Sequence, residues 1–476
     1  MTASPARKVI PIKPVLADGT EGSLYEAQQK IYPRSVSGLL SRWRWGMVLL
    51  TQLVFYGLPW LEWGQRQAVL FDLGARRFYI FGLVLYPQDF IYLTGLLVVS
   101  ALSLFLFTAV AGRLWCGFAC PQTVYTEIFL WIERQVEGER GARMRLDANP
   151  MSMEKLVKKW FKHLLWIGLG VWTGFTFVGY FSPIRELGLA FLQTQMGSWE
   201  VFWVFFYGFA TYGNAGFLRE QVCKYMCPYA RFQSAMFDKD TLIVTYDQAR
   251  GEPRGARARK DDAAALGLGA CVDCTLCVQV CPTGIDIRKG LQYECIGCGV
   301  CVDACDTMMD KMAYPRGLIR FSTQNGIARG WARRQLLRRI LRPRVLVYGA
   351  ILLGLCIALL TSLVVRTPLK VDVVRDRTAL SRIVAGGQLE NVYRLQLMNA
   401  TEMPQSYRIS AHGLPGMALA SEPVVAVGPA ESRWVAVRLR IPYGTVASGS
   451  HPVHFEVGSV QGDAHVSEKS VFLVPR

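Results

Sequence analysis

Eight cysteines crowd into residues 271–305, CVDCTLCVQVCPTGIDIRKGLQYECIGCGVCVDAC. Nothing else in the 476-residue chain restricts folding as severely. The first half reads C-x2-C-x2-C-x3-C-P through Cys271, Cys274, Cys277, Cys281 and Pro282. The second reads C-x2-C-x2-C-x3-C through Cys295, Cys298, Cys301 and Cys305. Three thiolates spaced this closely wrap one corner of a cubane, and in two-cluster ferredoxins the fourth ligand comes from the opposite motif. The pattern predicts one [4Fe–4S] cluster on Cys271, Cys274, Cys277 and Cys305, and another on Cys295, Cys298, Cys301 and Cys281. Zinc is the alternative occupant of CxxC pairs. Asp306 stands where many such motifs carry proline, which alters the turn after Cys305.

The remaining cysteines argue against a disulfide framework. Of 13, twelve lie between Cys116 and Cys305, and none follows Cys356. Tandem spacings of this kind belong to thiolate ligands in a reducing compartment. Cys356 lies in an apolar helix as packing.

Such a module is usually small and soluble, yet 51% of this chain is hydrophobic. Five stretches approach the roughly 20 apolar residues that cross a bilayer: 45–61, 90–112, 164–181, 199–218 and 345–365. RRFYIFGLVLYP (76–87) is too short to span and is expected to lie along an interface or as a re-entrant piece. The segment 113–163 holds nine Lys or Arg, against three in 62–89 and one in 182–198. RGEPRGARARK (250–260) and RGWARRQLLRRILRPR (329–344) make the segment 219–344 basic too. The positive-inside rule then puts the N-terminus and the cysteine module in the cytoplasm and the C-terminal part outside. This asymmetry accounts for most of the +17 net charge without a nucleic-acid partner.

After 365 the texture changes to short alternating runs such as NVYRLQLMNA, SRWVAVRLRIP and HPVHFEVGSV, separated by turn residues. These predict an antiparallel β-sandwich. The expected order is a cytoplasmic arm (1–42, partly disordered), a four-helix membrane domain (43–228), a cytoplasmic segment (229–342) with an α+β two-cluster ferredoxin module at about 262–312, a fifth transmembrane helix (343–366) and a periplasmic sandwich (367–476). The fold class is thus a multidomain membrane protein with an α-helical bundle.

The chain also repeats a device. LWCGFACPQTVYTEIF and QVCKYMCPYARFQSAMF each place C-x3-C-P at the end of an apolar stretch. Pro121 and Pro228 suit the first position of a new helix, which puts Cys120 and Cys227 at helix N-termini, where the dipole favours thiolate. Cys116 and Cys223 come one turn earlier. Four thiols there make a soft site that prefers Cu(I) to Cu(II); structural thiols and a third cluster are the alternatives. Met308, Met309 and Met312 are read as core filling, and Asp273, Asp286, Asp303 and Asp306 as a solvated acidic face that could dock a donor. No CxxCH is present and His163 alone lies near the apolar stretches, so no haem is expected.

From KIYPRSVSG (30–38) through the two C-x3-C-P motifs, FDKDTLIVTYDQARGEPRG (237–255), the doubled ferredoxin motif and the sandwich, the chain resembles the cytochrome c oxidase accessory protein family known as CcoG, FixG or RdxA. The resemblance implies a multi-pass protein of the bacterial cytoplasmic membrane, with an immunoglobulin-like C-terminal β-sandwich, that reduces Cu(II) to Cu(I) for a cbb-type oxidase. It assigns the reducing role to Cys116, Cys120, Cys223 and Cys227, with copper as substrate. Implied partners are a cytoplasmic electron donor, a copper transporter or chaperone and oxidase assembly factors, and pairing into a homodimer would bring thiols of two chains together. The rival expectations are a quinol-linked membrane ferredoxin and a non-catalytic assembly scaffold.

Overall fold

The computed structural model describes residues 30–263, 265–376 and 381–475, so most of the basic N-terminal arm lies outside the described residues. The segment just before the first helix is extended and docked: the Arg34 amide donates to Gln279 O (2.8 Å) and the Tyr32 hydroxyl to Asp147 (2.7 Å).

Among the described residues two helices are long and apolar enough to cross a membrane, Pro87–Ala111 and Pro343–Val365, and almost none of their surface is buried. They pack on each other, with Tyr92 OH donating to Ser362 O at 3.1 Å. The other three apolar stretches are helical as well, at Leu39–Gly57, Met153–Val178 and Ser198–Gly213. The third begins well before residue 164, because Ser152 caps its N-terminus by accepting from the Lys155 amide (3.2 Å). Its charged first turns then run directly into the apolar part. Gly170 and Gly174, four apart, face Ser198–Gly213 so closely that a β-carbon on Gly174 would lie 2.0 Å from Val204 O. Small residues at this spacing let membrane helices approach backbone to backbone.

Residues 76–87, expected along an interface or as a re-entrant piece, form strands. Strands Arg77–Ile80 and Leu83–Leu85 form a hairpin that pairs with Val69–Asp72. Its alternating Phe78, Ile80, Leu83 and Leu85 suit a pleat, and Tyr79 and Val84 pack with Leu70 and Tyr86 against Met398 and Ala430 of the C-terminal domain. Tertiary packing gives this short run a partner that its length alone did not reveal.

The C-terminal domain is a β-sandwich. One sheet runs Ala418–Leu419, Ser432–Pro442, Gln388–Asn399, Leu369–Arg375, with Arg382–Val384 also pairing on Gln388–Asn399. The other runs Val424–Val427, Gln405–His412, Gly449–Ser459, His465–Val474. Tyr393, Leu395, Leu397, Leu439, Phe455 and Val457 fill the space between them. The cysteine module closes around a two-stranded ribbon, Ile243–Tyr246 with Ile319–Ser322.

The helix Phe90–Ala111 fixes where these two domains sit. At its start Asp89 pairs with Arg366 (3.0 Å) and Lys370 (3.5 Å), at the root of the sandwich. At its end Val110 O accepts from the Leu242 amide (3.1 Å), beside the ribbon, and Ala109 O from Arg342. Twenty-two helical residues separate those contacts by about 33 Å. The sandwich and the cysteine module therefore occupy opposite ends of this helix.

Candidate metal centre

The eight module cysteines line two small cavities. Cys271, Cys274, Cys277 and Cys305 line the first, walled by Tyr246, Met308, Met309 and Leu318. Cys281, Cys295, Cys298 and Cys301 line the second, walled by Val244, Ile285 and Ile287. This is the interlocked partition expected from the spacing, and Cys277 touches both cavities. Met308 and Met309 fill core, as expected. All eight thiols are free. Among the described residues no three His, Cys, Asp or Glu side chains close on a single-ion position.

An apolar wall with sulfur as its donor set fits a pair of [4Fe–4S] clusters. Burial first, with neighbouring thiols acting in the same direction, pushes Cys277 up to about 11 and Cys295 and Cys305 up to about 12. Metal must therefore displace protons to bind.

The acidic face expected around the module is largely consumed inside the protein. Asp303 is buried, and its two oxygens accept from the Leu40 amide (3.2 Å) and the Ser41 amide (2.7 Å). A cysteine-motif residue thus caps the first apolar helix, where the helix dipole favours a carboxylate. Arg288 binds both Asp286 (2.8 Å) and Asp273. Asp306, in the place of the usual proline, accepts from the Gly317 amide at 2.9 Å and ties down the loop that leads into Ile319–Ser322.

The two C-x3-C-P motifs converge. Cys120 and Cys227 are the N-caps of Pro121–Glu137 and Pro228–Met236, with proline at the first position of each, as expected. Their predecessors differ from expectation. The apolar helix ends at Ala111, so Cys116 lies in a separate short helix, Leu114–Phe118. The other apolar helix gives way to two π turns, Asn214–Leu218 and Val222–Met226, the second holding Cys223. Such turns concentrate at functional sites.

Two glutamines that sequence reasoning passed over lock the motifs together. Gln233, on the helix after Cys227, accepts the Cys116 thiol at 3.4 Å. Gln122, on the helix after Cys120, donates to Asn214 O (2.9 Å) and Arg219 O (3.1 Å), around the turn that leads to Cys223. Each motif is braced from the other, and the signal was the amide side chain in each following helix.

Thiolate is not the resting form expected of Cys120. Burial raises its pKa, and although the Thr123 and Gln122 amides at the helix N-terminus pull the other way, burial wins. Cys116 is pushed up to about 11 and Cys223 to about 12, again by burial first and then by the other thiols. All four thiols lie within electrostatic reach of one another.

The second cavity reaches these thiols through a backbone contact. A β-carbon on Gly117, between Cys116 and Cys120, would lie 2.7 Å from both Cys298 Cα and N. Cys116 packs in the same cluster as Cys298, Val300 and Ala304. Arg113 is buried at the seam, donating to Ala230 O at 2.5 Å, and its charge acts on both Cys295 and Cys116.

Comparison with known proteins accords with this arrangement. Nitrogen fixation protein FixG of Rhizobium meliloti is 39% identical over 432 residues, covering 84% of this chain and 82% of that protein. Protein RdxB of Cereibacter sphaeroides is 38% identical, covering 85% of this chain and 86% of that protein. The chain belongs to the FixG/RdxA/RdxB family. Family profiles described as a 4Fe-4S binding domain (93–137), a 4Fe-4S dicluster domain (218–324) and an IG-like fold at the C-terminus of FixG (359–475) match in order. A solved structure of a FixG-related protein from Vibrio parahaemolyticus aligns at 23% identity over 23% of this chain and 97% of that chain, with a TM-score of 0.21. This FixG-family member is an iron–sulfur electron-transfer protein of the membrane.

Proposed function

We propose that this FixG-family protein reduces Cu(II) to Cu(I) at the four C-x3-C-P thiols, for assembly of a cbb-type haem–copper oxidase. The observation that carries the reading is the contact of Gly117 with the Cys298 backbone, which sets the second cluster cavity directly against Cys116. The paired clusters supply one-electron storage when bound. Gln233 and Gln122 hold the thiols together, and Arg113 offers positive charge between the cavity and the thiol group. Sulfur prefers the reduced copper ion, so a thiol site biases reduction of an arriving Cu(II).

The reading extends to a five-helix bundle in the cytoplasmic membrane. Leu49, Leu50 and Leu53 on the first helix, Trp160, Leu164 and Ile167 on the third, and Phe202, Phe205 and Phe209 on the fourth all face outward. Large apolar patches of this kind mark contact with lipid or protein. Loop charge supports a cytoplasmic cysteine module and a periplasmic sandwich, an orientation that suits their positions at opposite ends of Phe90–Ala111. A cytoplasmic donor would load the module, and a transporter or chaperone would take the Cu(I).

The test is anaerobic. Dithionite-reduced protein, freed of excess reductant, is mixed with Cu(II), and Cu(I) formation is followed with a chelator alongside recovery of iron–sulfur absorbance. The double variant Cys120→Ser with Cys227→Ser should keep its iron and lose Cu(I) formation. Undiminished Cu(I) formation would remove these thiols from the reaction.

A further inference from the structure

A cavity of about 370 Å³ opens where the first helix, Leu39–Gly57, meets Pro121–Glu137 and the cysteine module. The two helices run antiparallel. Ser35, just before the first, donates to Glu139, just after the second, at 2.8 Å. Trp45 then packs edge-on against Trp131 (6.3 Å between ring centres), and further in Tyr125 OH donates toward Tyr56 OH at 3.4 Å. The cavity therefore has an order along the helices. Arg34, Ser37, Ser41, Arg42 and Arg134 line the end next to the extended segment, and Trp45, Leu130 and Trp131 line the end nearer the apolar part of the bundle. Trp131 is exposed on the outer surface of its helix.

Charge in this wall is unbalanced. Among the described residues five arginines line it against Glu127 alone. Buried Arg44 takes Glu127 (2.9 Å), and buried Arg143 is held by Glu133 (3.3 Å) and Pro33 O (2.5 Å). Glu139 approaches Arg134 only at 4.0 Å. Among the described residues Arg34 makes no ion pair, and Arg42 donates only to Gly38 O, at 3.4 Å. Both are exposed, which leaves their guanidinium groups free to turn onto a phosphate, whose oxygens a planar fork matches in pairs. A soluble phosphate would use the arginine end and leave the tryptophan end to water. A head group with its own ammonium would add positive charge where it is already in excess. The molecule that meets both ends carries an anionic phosphate next to an apolar body. Basic pockets between membrane helices on the cytoplasmic side take lipid head groups, and tryptophan concentrates at that depth.

We infer that this cavity binds the glycerol-phosphate head group of an anionic phospholipid, with Arg34 and Arg42 on the phosphate and the acyl chains leaving past Trp131. The inference rests on the bilayer placement proposed above. Val280 and Pro282, the neighbours of Cys281, share the same wall, so the bound lipid bridges the cysteine module and the membrane helices.

The test uses full-length protein in phosphatidylcholine nanodiscs that contain a small fraction of photoreactive phosphatidylglycerol, with mapping of the labelled peptides. Label should fall in Leu39–Gly57 and Pro121–Glu137, and unlabelled phosphatidylglycerol should displace it where phosphatidylcholine and glycerol phosphate do not. The double variant Arg34→Gln with Arg42→Gln should weaken capture roughly tenfold. Arg338→Gln with Arg339→Gln, which removes the same charge from exposed positions outside the cavity, should leave capture unchanged. Iron content should match wild type in both. Displacement by glycerol phosphate would make the site one for a soluble phosphate, and label elsewhere or equal loss in the two double variants would mean unselective attraction; each overturns the inference. Protein that fails to enter the discs would overturn the bilayer placement and the inference with it, whereas entry without selective label faults this site alone.

Discussion

Gly117 meets Cys298 backbone to backbone, with room for hydrogen but none for a methyl group. Two features far apart in sequence, a C-x3-C-P motif and a ferredoxin motif, are joined at that point. Gly117→Val would force the helix Leu114–Phe118 away from the second cavity, at an overpacking cost of roughly 1–3 kcal/mol. Stopped-flow mixing of reduced protein with Cu(II) should show slowed reoxidation, while iron per chain stays close to wild type. Unchanged kinetics would mean that this contact is not the route.

The interlocked cavities make the clusters separable by substitution. Cys305 lines only the first cavity and Cys281 only the second. Cys305→Ser should leave about half the iron, about four atoms per chain, with a paramagnetic signal from one reduced cluster. Cys281→Ser should leave the complementary signal. If both variants keep the same signal, the partition is wrong.

The eight module cysteines were legible because ligand spacing is a local property, set by how few residues can wrap a cubane corner. The sandwich strands Gln388–Asn399, Ser432–Pro442 and Gly449–Ser459 were legible for a similar reason, since alternation is local too. Contacts between distant segments stayed hidden. Asp303 reads as a solvated charge until the first apolar helix arrives with two unsatisfied amides. The strands Arg77–Ile80 and Leu83–Leu85 read as an apolar run too short to span until Met398 and Ala430 give them a face to cover. Gln233 and Gln122 carry no motif, and their roles exist only once the two C-x3-C-P hairpins meet. At Cys120 the helix N-terminus is present and its amides favour thiolate as read, while burial by other segments, a non-local effect, raises the pKa on balance.

Asp303 ties the cysteine module to the first helix, and Gly38 leaves it the space, since a β-carbon there would lie 2.2 Å from Asp303 Cγ. Asp303→Ala removes the acceptor of the Leu40 and Ser41 amides, a loss of about 1 kcal/mol for a capping residue. Cluster ligation need not change, because Asp303 is no ligand in the assigned sets. Limited proteolysis should cut faster in residues 33–41 of the variant, whereas Asp303→Asn, which retains one acceptor oxygen, should fall between variant and wild type. Identical cleavage of all three would show that the cap does not hold the segment.

Glu390 gives the sandwich a defined acid limit. Its carboxylate is buried, which by itself raises the pKa, but Arg440 (2.7 Å) and Arg382 bind it and the net shift is downward from 4.5. A group whose folded pKa is depressed contributes stability that is fully present above its unfolded value and is lost as pH falls through the folded one. Hydrogen exchange along Gln388–Asn399 should therefore be constant from pH 7 to about 5, after correction for intrinsic rates, and lose protection below 4.5. Glu390→Gln should weaken protection already at pH 7, because two guanidinium groups lose their counter-charge, and should flatten the fall on the acid side. A variant that keeps the wild-type acid slope would place the titrating group elsewhere in the sandwich.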